Sequence, residues 1–360
     1  MRADMKSGLV SLAVIALLVI GAAHSVTAKT LDIYFIDVEG GQSTLLVTPA
    51  GESLLIDAGW AGNGAPGAKA GDPKQSRDAN RIVAAAHDAG IKEIDYALLT
   101  HFHPDHEGGF PELAHLIPIL HFIDHGSLAA EGQKDAGLKD ASEAYLAVRN
   151  KVPHIEPKPG DRLPLKGIDA VVVSSAASTI VDPFPGAGEI NTACARSAPS
   201  PGDPVENPRS TGIVVSFGEF RFLDVGDLTG QPLFDLACPK NLIGSVDVYL
   251  VAHHGGGDAS DPATFAAFKP RVAIMNNGLK KGGALATYES LHHVQGLEDV
   301  WQLHNSEAAG DKNFAAERIA NPDESTSYWI KISADQDGSF RALNGRTGEW
   351  KNYPARHKGS

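Results

Sequence analysis

The sequence predicts a mixed α+β fold in which sheet packs on sheet and helices lie outside. Three observations carry this. Apolar runs of strand length recur along the whole chain, bounded by Gly, Pro, Asn and Asp. Several of these runs adjoin across short turns, as antiparallel hairpins do. Helix-length segments interleave with them throughout, so strands and helices are not segregated into separate regions.

Residues 31–36 alternate as a strand should. Residues 43–47 and 53–56 read as two more strands, joined by the turn Pro49-Ala50-Gly51, and Asp57-Ala58-Gly59 ends the third. A loop rich in Gly, Ala and Pro follows over 61–73. Residues 78–89 have helical composition, with Gly90 as the stop. Residues 94–99 form a strand, 111–116 a short helix, 119–123 a strand and 142–151 a helix. Residues 170–174, 212–217 and 220–224 are strands, the last two a hairpin. The intervening segment 182–208 is rich in Pro, Gly and Ser, and reads as an ordered surface loop near the site or as a lid. Then come a buried strand at 246–251, a helix at 262–268 and a strand at 272–275. Residues 328–333 and 340–344, joined at Asp337-Gly338, read as a terminal hairpin.

Residues 1–28 are expected to be a signal peptide. Arg2 and Lys6 precede an apolar run at 9–23, and Val26-Thr27-Ala28 ends in a small residue suited to cleavage. The run is shorter than the ~20 residues a spanning helix needs, although an uncleaved anchor is the alternative. The expected domain is 29–360, a single unit with a C-terminal hairpin extension, placed in the periplasm or outside the cell and free of the membrane. The formal net charge is −13, and loss of Arg2, Lys6 and Asp4 leaves the remainder one unit more acidic. Such a surface disfavours stable, non-specific nucleic-acid binding. It does not exclude phosphodiester chemistry at a cationic centre. The two cysteines, Cys194 and Cys238, either pair in an oxidising compartment or remain buried thiols.

The densest chemistry lies at Thr100-His101-Phe102-His103-Pro104-Asp105-His106, at the end of the strand 94–99. Four metal-ligand side chains in six residues pack poorly in a core. They suit a divalent ion that takes nitrogen and oxygen donors, above all zinc. Other strand ends carry Asp57, Asn207, Asp227 and His253-His254-Gly255, where a rigid scaffold presents functional groups.

Together these turns resemble the metallo-β-lactamase superfamily, in the right order over most of the chain. The stretch Phe35-Ile36-Asp37-Val38-Glu39-Gly40-Gly41-Gln42-Ser43 and the His-His-Gly turn resemble, more closely, the metallohydrolase domain of the competence DNA-uptake channel family. The resemblance implies a four-layer αββα sandwich with a dinuclear site at one edge. It implies His101 and His103 on a first metal, Asp105, His106 and His253 on a second, and Asp227 bridging both. Asp57 would hold a ligand through hydrogen bonds. The cofactors implied are two divalent ions, zinc or manganese, and the nucleophile a hydroxide they generate, which Asp105 would orient.

One departure matters. The superfamily commonly places a third histidine on the first metal just before the strand at 212–217. Here the chain reads Glu206-Asn207-Pro208-Arg209-Ser210, and no histidine occurs between His154 and His253. An amide is a weaker zinc ligand than imidazole, so a loosely held or manganese ion is expected there. Asn207 and Ser210 as plain loop-capping residues are the alternative. His254 should point away from His253 if strand alternation continues, facing substrate as a proton donor or anion contact, or packing in the core. His125 is a candidate for the rim of the site, and His304 a weaker one. Lys280-Lys281 forms a basic turn that either meets an anionic substrate or is solvated. The expected activity is hydrolysis of a phosphoester, most of all a phosphodiester, whether small molecule or nucleic acid. The alternatives are a lactone, lactam or thioester, favoured if the loop 182–208 builds an apolar pocket, and a non-catalytic binding protein.

Overall fold

The computed structural model describes residues 30–65, 67–71 and 74–356. The expected signal segment 1–28 and His357 lie outside them. The first sheet takes six strands from the first half of the chain: β1 (Leu31–Phe35), β2 (Thr44–Val47), β3 (Ser53–Ile56), β4 (Ile94–Leu98), β5 (Ile119–Ile123) and β6 (His154–Ile155). The second takes β7 (Asp169–Ser175), β8 (Ser178–Thr179), β9 (Gly212–Phe217), β10 (Phe220–Asp224), β11 (Val248–Leu250), β12 (Val272–Met275), β13 (Asp299–His304) and β14 (Ile319–Asn321). The chain then returns to the first sheet with β15 (Ile330–Ala334), β16 (Phe340–Asn344) and β17 (Trp350–Tyr353). The orders are β17-β16-β15-β1-β2-β3-β4-β5-β6 and β14-β13-β12-β11-β10-β9-β7-β8. The C-terminal hairpin, expected as an extension, is built into the sheet. β15 pairs antiparallel with β1, from Leu31 opposite Ala334 to Phe35 opposite Ile330.

Alternation along β1 explains the layering. Leu31, Ile33 and Phe35 face a central core with Val215, Phe222, Val248 and Ile274 of the second sheet. Tyr34 and Ile36 face the other way, against Ile82 of α1 (Arg77–Asp88), Leu113 of α3 (Phe110–Leu116) and Tyr145 of α4 (Ala136–Arg149). Between α1 and α3 lies the single turn α2 (Pro104–Glu107). The outer face of the second sheet carries Val214, Leu223 and Tyr249. They pack on Leu236 of α5 (Gly230–Ala237), Phe265 of α6 (Pro262–Phe268) and Tyr288 of α7 (Leu285–Leu291). Two helix–sheet interfaces flank one sheet–sheet interface, which makes the expected αββα sandwich. Among the described residues no helix is long and apolar enough to cross a membrane.

The sheets are more parallel than the hairpins in the sequence suggest. β3, β4, β5 and β6 run parallel, as do β10 to β14. This positions the site, because parallel neighbours end on the same edge. Thr211 N–H donates to the Thr100 carbonyl at 2.8 Å and joins the two sheets at that edge. Cys194 and Cys238 form a disulfide across 44 residues, tying the loop 182–208 to the end of α5.

Candidate metal centre

The centre is assembled from the ends of four strands. Asp57 follows β3, the histidine motif follows β4, Asp227 follows β10 and His253-His254 follow β11. Asp57 is fully buried at φ +60°, a left-handed conformation that Asp tolerates better than most residues. Its Oδ1 accepts the Thr100 N–H at 2.8 Å. Its Oδ2 accepts the Thr100 hydroxyl at 2.7 Å and lies 2.6 Å from His106 Nδ1. Asp57 thus holds the His106 ring with Nε2 turned into the centre.

Two glycines permit close approach. A Cβ on Gly41 would lie 2.5 Å from the Asp105 carbonyl, so the loop after β1 can lie against the motif only as glycine. Gly226 sits at φ +55°, and a Cβ there would meet Thr100 at 2.8 Å. It lets the Asp227 turn close onto the end of β4.

Two groups of donors result. Asp105, His106, Asp227 and His254 have ligand atoms within 4.8 Å of one another, as do His101, His103 and Asp227. Asp227 is shared. Its Oδ2 lies 3.1 Å from His106 Nε2, 3.2 Å from His254 Nε2 and 3.9 Å from His101 Nε2. His101 Nε2 is 2.9 Å from His103 Nδ1. One expected ligand is corrected: the second group holds His254, not His253. β11 ends at Leu250, and both histidines take left-handed backbone, at φ +50° and +52°. The alternation that assigned His254 away from the metals no longer applies. His254 is thus a ligand candidate rather than a separate proton donor.

His125 is also corrected. It lies behind the motif, with Nε2 3.1 Å from Glu206 Oε2 and its ring edge-on to Phe102. Asn207 is buried beside the centre, its Nδ2 3.4 Å from His253 Nε2. Several groups carried no sequence signal. The Glu206 carboxylate accepts the Phe102 N–H at 3.1 Å and the Ala129 N–H at 2.7 Å, fixing the motif's outer side. Asp203 accepts the Glu206 and Asn207 N–H groups and so presents Asn207. Lys281 Nζ contacts Asp105 Oδ2, donates to the Gly40 carbonyl at 2.6 Å, and stands 5.3 Å from the Trp60 ring centroid. The basic turn was visible in the sequence; its partner was not. His304 is structural, bonded to Asp37 at 2.8 Å.

Electrostatics divide the donors. Burial, reinforced by the neighbouring His106 and His103, holds His101 well below the usual histidine range, leaving it neutral. Burial opposes charge on His106 too, but Asp227, Asp105 and Asp57 outweigh it and hold that ring well above the range. Burial would raise Asp105 and Asp227, yet Lys281 and His106 on the one and His106 and His254 on the other hold both well below the carboxylate range. A cation entering the second group must therefore displace the His106 proton, which couples its affinity to pH.

Behind the ligands, burial pushes the Asp224 carboxyl up to about 7. The Gly226 N–H and the Gln42 amide oppose this, and the Asp57 charge adds to it. An acid raised above its unfolded value of 3.8 binds its proton more tightly when folded. Its stabilisation is full below that value and is lost as pH rises to about 7. Asp224→Asn should therefore gain on the wild type by up to about 4 kcal/mol between pH 4 and pH 8. Urea unfolding of the metal-free proteins at the two pH values checks this, and parallel pH profiles would show that Asp224 does not titrate between them.

Residues 37–192 match the model of the family described as the Metallo-beta-lactamase superfamily. The span includes Asp57 and the histidine motif and ends before Asn207, Asp227 and His254. No curated protein matches the chain. A diiron beta-hydroxylase from Streptomyces venezuelae is similar at 15% identity and a TM-score of 0.42, over 76% of this chain and 52% of that one. A metal-dependent hydrolase of the beta-lactamase superfamily is similar at 14% identity and 0.41, over 76% and 95%. A metallo-beta-lactamase from Cronobacter sakazakii is similar at 18% identity and 0.32, over 57% and 65%. The chain thus spans about half the length of the hydroxylase and about two-thirds of the Cronobacter enzyme. The architecture is the metallo-β-lactamase fold, with two mixed sheets enclosed by helices.

Proposed function

We propose that this chain is a dinuclear metal-dependent hydrolase of phosphoesters, with a phosphodiester as the favoured substrate. The donor set fits divalent cations. Asp227 Oδ1 and Asn207 Oδ1 are buried at the centre without a hydrogen-bond partner among the described residues. Buried polar atoms seldom stay unpaired, and convergent nitrogen and carboxylate donors suit zinc or manganese. When bound, two such cations lower the pKa of water towards neutrality and neutralise charge on attacking and leaving oxygens. His101 and His103 would hold one, Asp105, His106 and His254 the other, and Asp227 both.

The observation that carries the substrate class is Lys281. Its ammonium stands at the mouth of the centre, partly exposed, against Asp105 and over Trp60. A flexible cation beside a carboxylate that would serve a metal can turn to an anionic substrate oxygen. The overall acidity of the chain disfavours the docking of a polyanion elsewhere on its surface. The finer likeness to the competence-channel domain supports a phosphodiester and rests on residues 35–43 and 253–255. Export to the periplasm or beyond is proposed from residues 1–28, and the Cys194–Cys238 disulfide favours an oxidising compartment.

A second reading has its own observation. A groove of about 840 Å³ abuts the motif at Pro104, lined by Trp60, Ala61, Leu138 and Ala141. The loop after β3 and α4 build it, not the loop 182–208. It would suit the apolar chain of an ester or lactone.

Hydrolysis of bis(p-nitrophenyl) phosphate and of a neutral p-nitrophenyl ester, by protein reloaded with zinc or manganese, separates the readings. Phosphodiester turnover should require metal and vanish in His101→Ala. Lys281→Ala should raise KM for the phosphodiester about 10-fold, the worth of one charge contact of about 1.4 kcal/mol, and leave the ester unchanged. Turnover of the ester alone would overturn the phosphodiesterase reading.

A further inference from the structure

We infer that His253, steadied by Asp258 and joined by Asn207, completes the first metal site and replaces the third histidine the chain lacks before β9. This rests on the dinuclear reading above and assigns a ligand that it leaves open. Consecutive histidines would then divide between the two ions, His253 on the first and His254 on the second.

Four observations converge. His253 Nδ1 lies 2.7 Å from Asp258 Oδ1. A carboxylate on one ring nitrogen fixes the tautomer and leaves the other lone pair free, the arrangement usual for a metal-bound imidazole. The other ring nitrogen, Nε2, lies 3.7 Å from Asp227 Oδ2, the oxygen shared by both groups. On its other side is Asn207, with Nδ2 at 3.4 Å. The Asn207 Oδ1 is buried and has no partner among the described residues, which a ligand role would satisfy. Lastly, His253 and His254 both occupy left-handed backbone. Two successive non-glycine residues there are costly, and such strain persists where the surroundings demand it. In this turn it brings both neighbouring imidazoles to Asp227 Oδ2, which strand alternation, pointing one of them away, cannot do.

The placement also accounts for Asn207 standing where a histidine is common. Asn207 is held by Asp203, whose carboxylate takes the Asn207 N–H at 3.0 Å. An imidazole from the turn after β11 approaches the same place, so the position before β9 need supply only a short amide.

Metal content after gel filtration, and affinity by competition with a chromophoric zinc chelator, test this without reference to turnover. Wild type should hold two zinc ions. His253→Ala should hold one tightly, with the other weakened at least 10-fold, and Asp258→Asn should weaken the same ion by less. The decisive protein is the double variant His101→Ala/His253→Ala. If both residues serve one ion, it still holds the other ion. A double variant that holds none would place His253 on the second ion and overturn the inference, as would His253→Ala with two ions at wild-type affinity. Wild type that binds fewer than two ions would overturn the dinuclear reading itself.

Discussion

Asp227→Asn is expected to cost the protein both metal ions at once. Asp227 is the only residue common to the two donor groups among the described residues, and one of its oxygens faces His101, His106, His253 and His254. Asparagine keeps its volume and removes its charge. The remaining ligands of the first group are then neutral imidazoles, since burial keeps His101 uncharged. The second group keeps a single carboxylate, Asp105, already engaged by Lys281. A neutral amide oxygen binds a dication far less well than a carboxylate. Metal content should fall from two to less than one per chain, and turnover by at least about 10²–10³-fold. His101→Ala and His254→Ala, by contrast, should each lose one ion. Elemental analysis after gel filtration, with circular dichroism to verify folding, measures the difference. An Asp227→Asn protein that keeps two ions and full turnover would remove Asp227 from the centre.

The contrast between these ligands shows what the sequence could disclose. The motif at 101–106 was legible because its residues are neighbours in the chain and no core would tolerate them. Strands β3, β5, β9, β10 and β12 and helix α6 were legible to the residue, since short apolar runs there are bounded by Gly, Asp, Asn or Pro. β13 escaped because Asp299–His304 interleaves Asp, Gln and His with Val, Trp and Leu. Its polar members are buried against distant partners, Gln302 with Asn313 and His304 with Asp37. α5 escaped because Gly230 and Pro232 stand in its first turn. The exchange of His253 for His254 has the same root. Period-two reasoning holds only while the backbone stays extended, and nothing in Ala252-His253-His254-Gly255 announces two left-handed residues. Asp258, Glu206 and Asp203 act through hydrogen bonds that only the closed fold creates.

Asp57 is where a single carboxylate serves both the fold and the centre, and two substitutions separate those roles. Asp57→Ala strands the buried Thr100 N–H and takes the carboxylate partner from the Thr100 hydroxyl and from His106 Nδ1. Removing one partner from such a buried network costs about 3–5 kcal/mol. The backbone N–H of residue 57, which joins the ends of β3 and β4 through the Leu98 carbonyl at 2.8 Å, is untouched by the substitution. Asp57→Asn should behave differently. Its amide oxygen can still take the Thr100 N–H, so most of the stability remains. Its NH₂ group, however, faces His106 Nδ1 as a donor. That reverses the tautomer: a neutral His106 then carries its proton on Nε2, the atom turned towards Asp227 and Asp105. The lone pair needed for a metal is lost while the ring stays in place. Zinc affinity of the second site should fall about 10–100-fold or more in Asp57→Asn, with urea stability within about 1–2 kcal/mol of wild type. NMR of the imidazole nitrogens should show the proton on Nε2 rather than Nδ1. If Asp57→Asn bound zinc as tightly as wild type with the proton still on Nδ1, Asp57 would be a structural tie between two strands and no part of the metal chemistry.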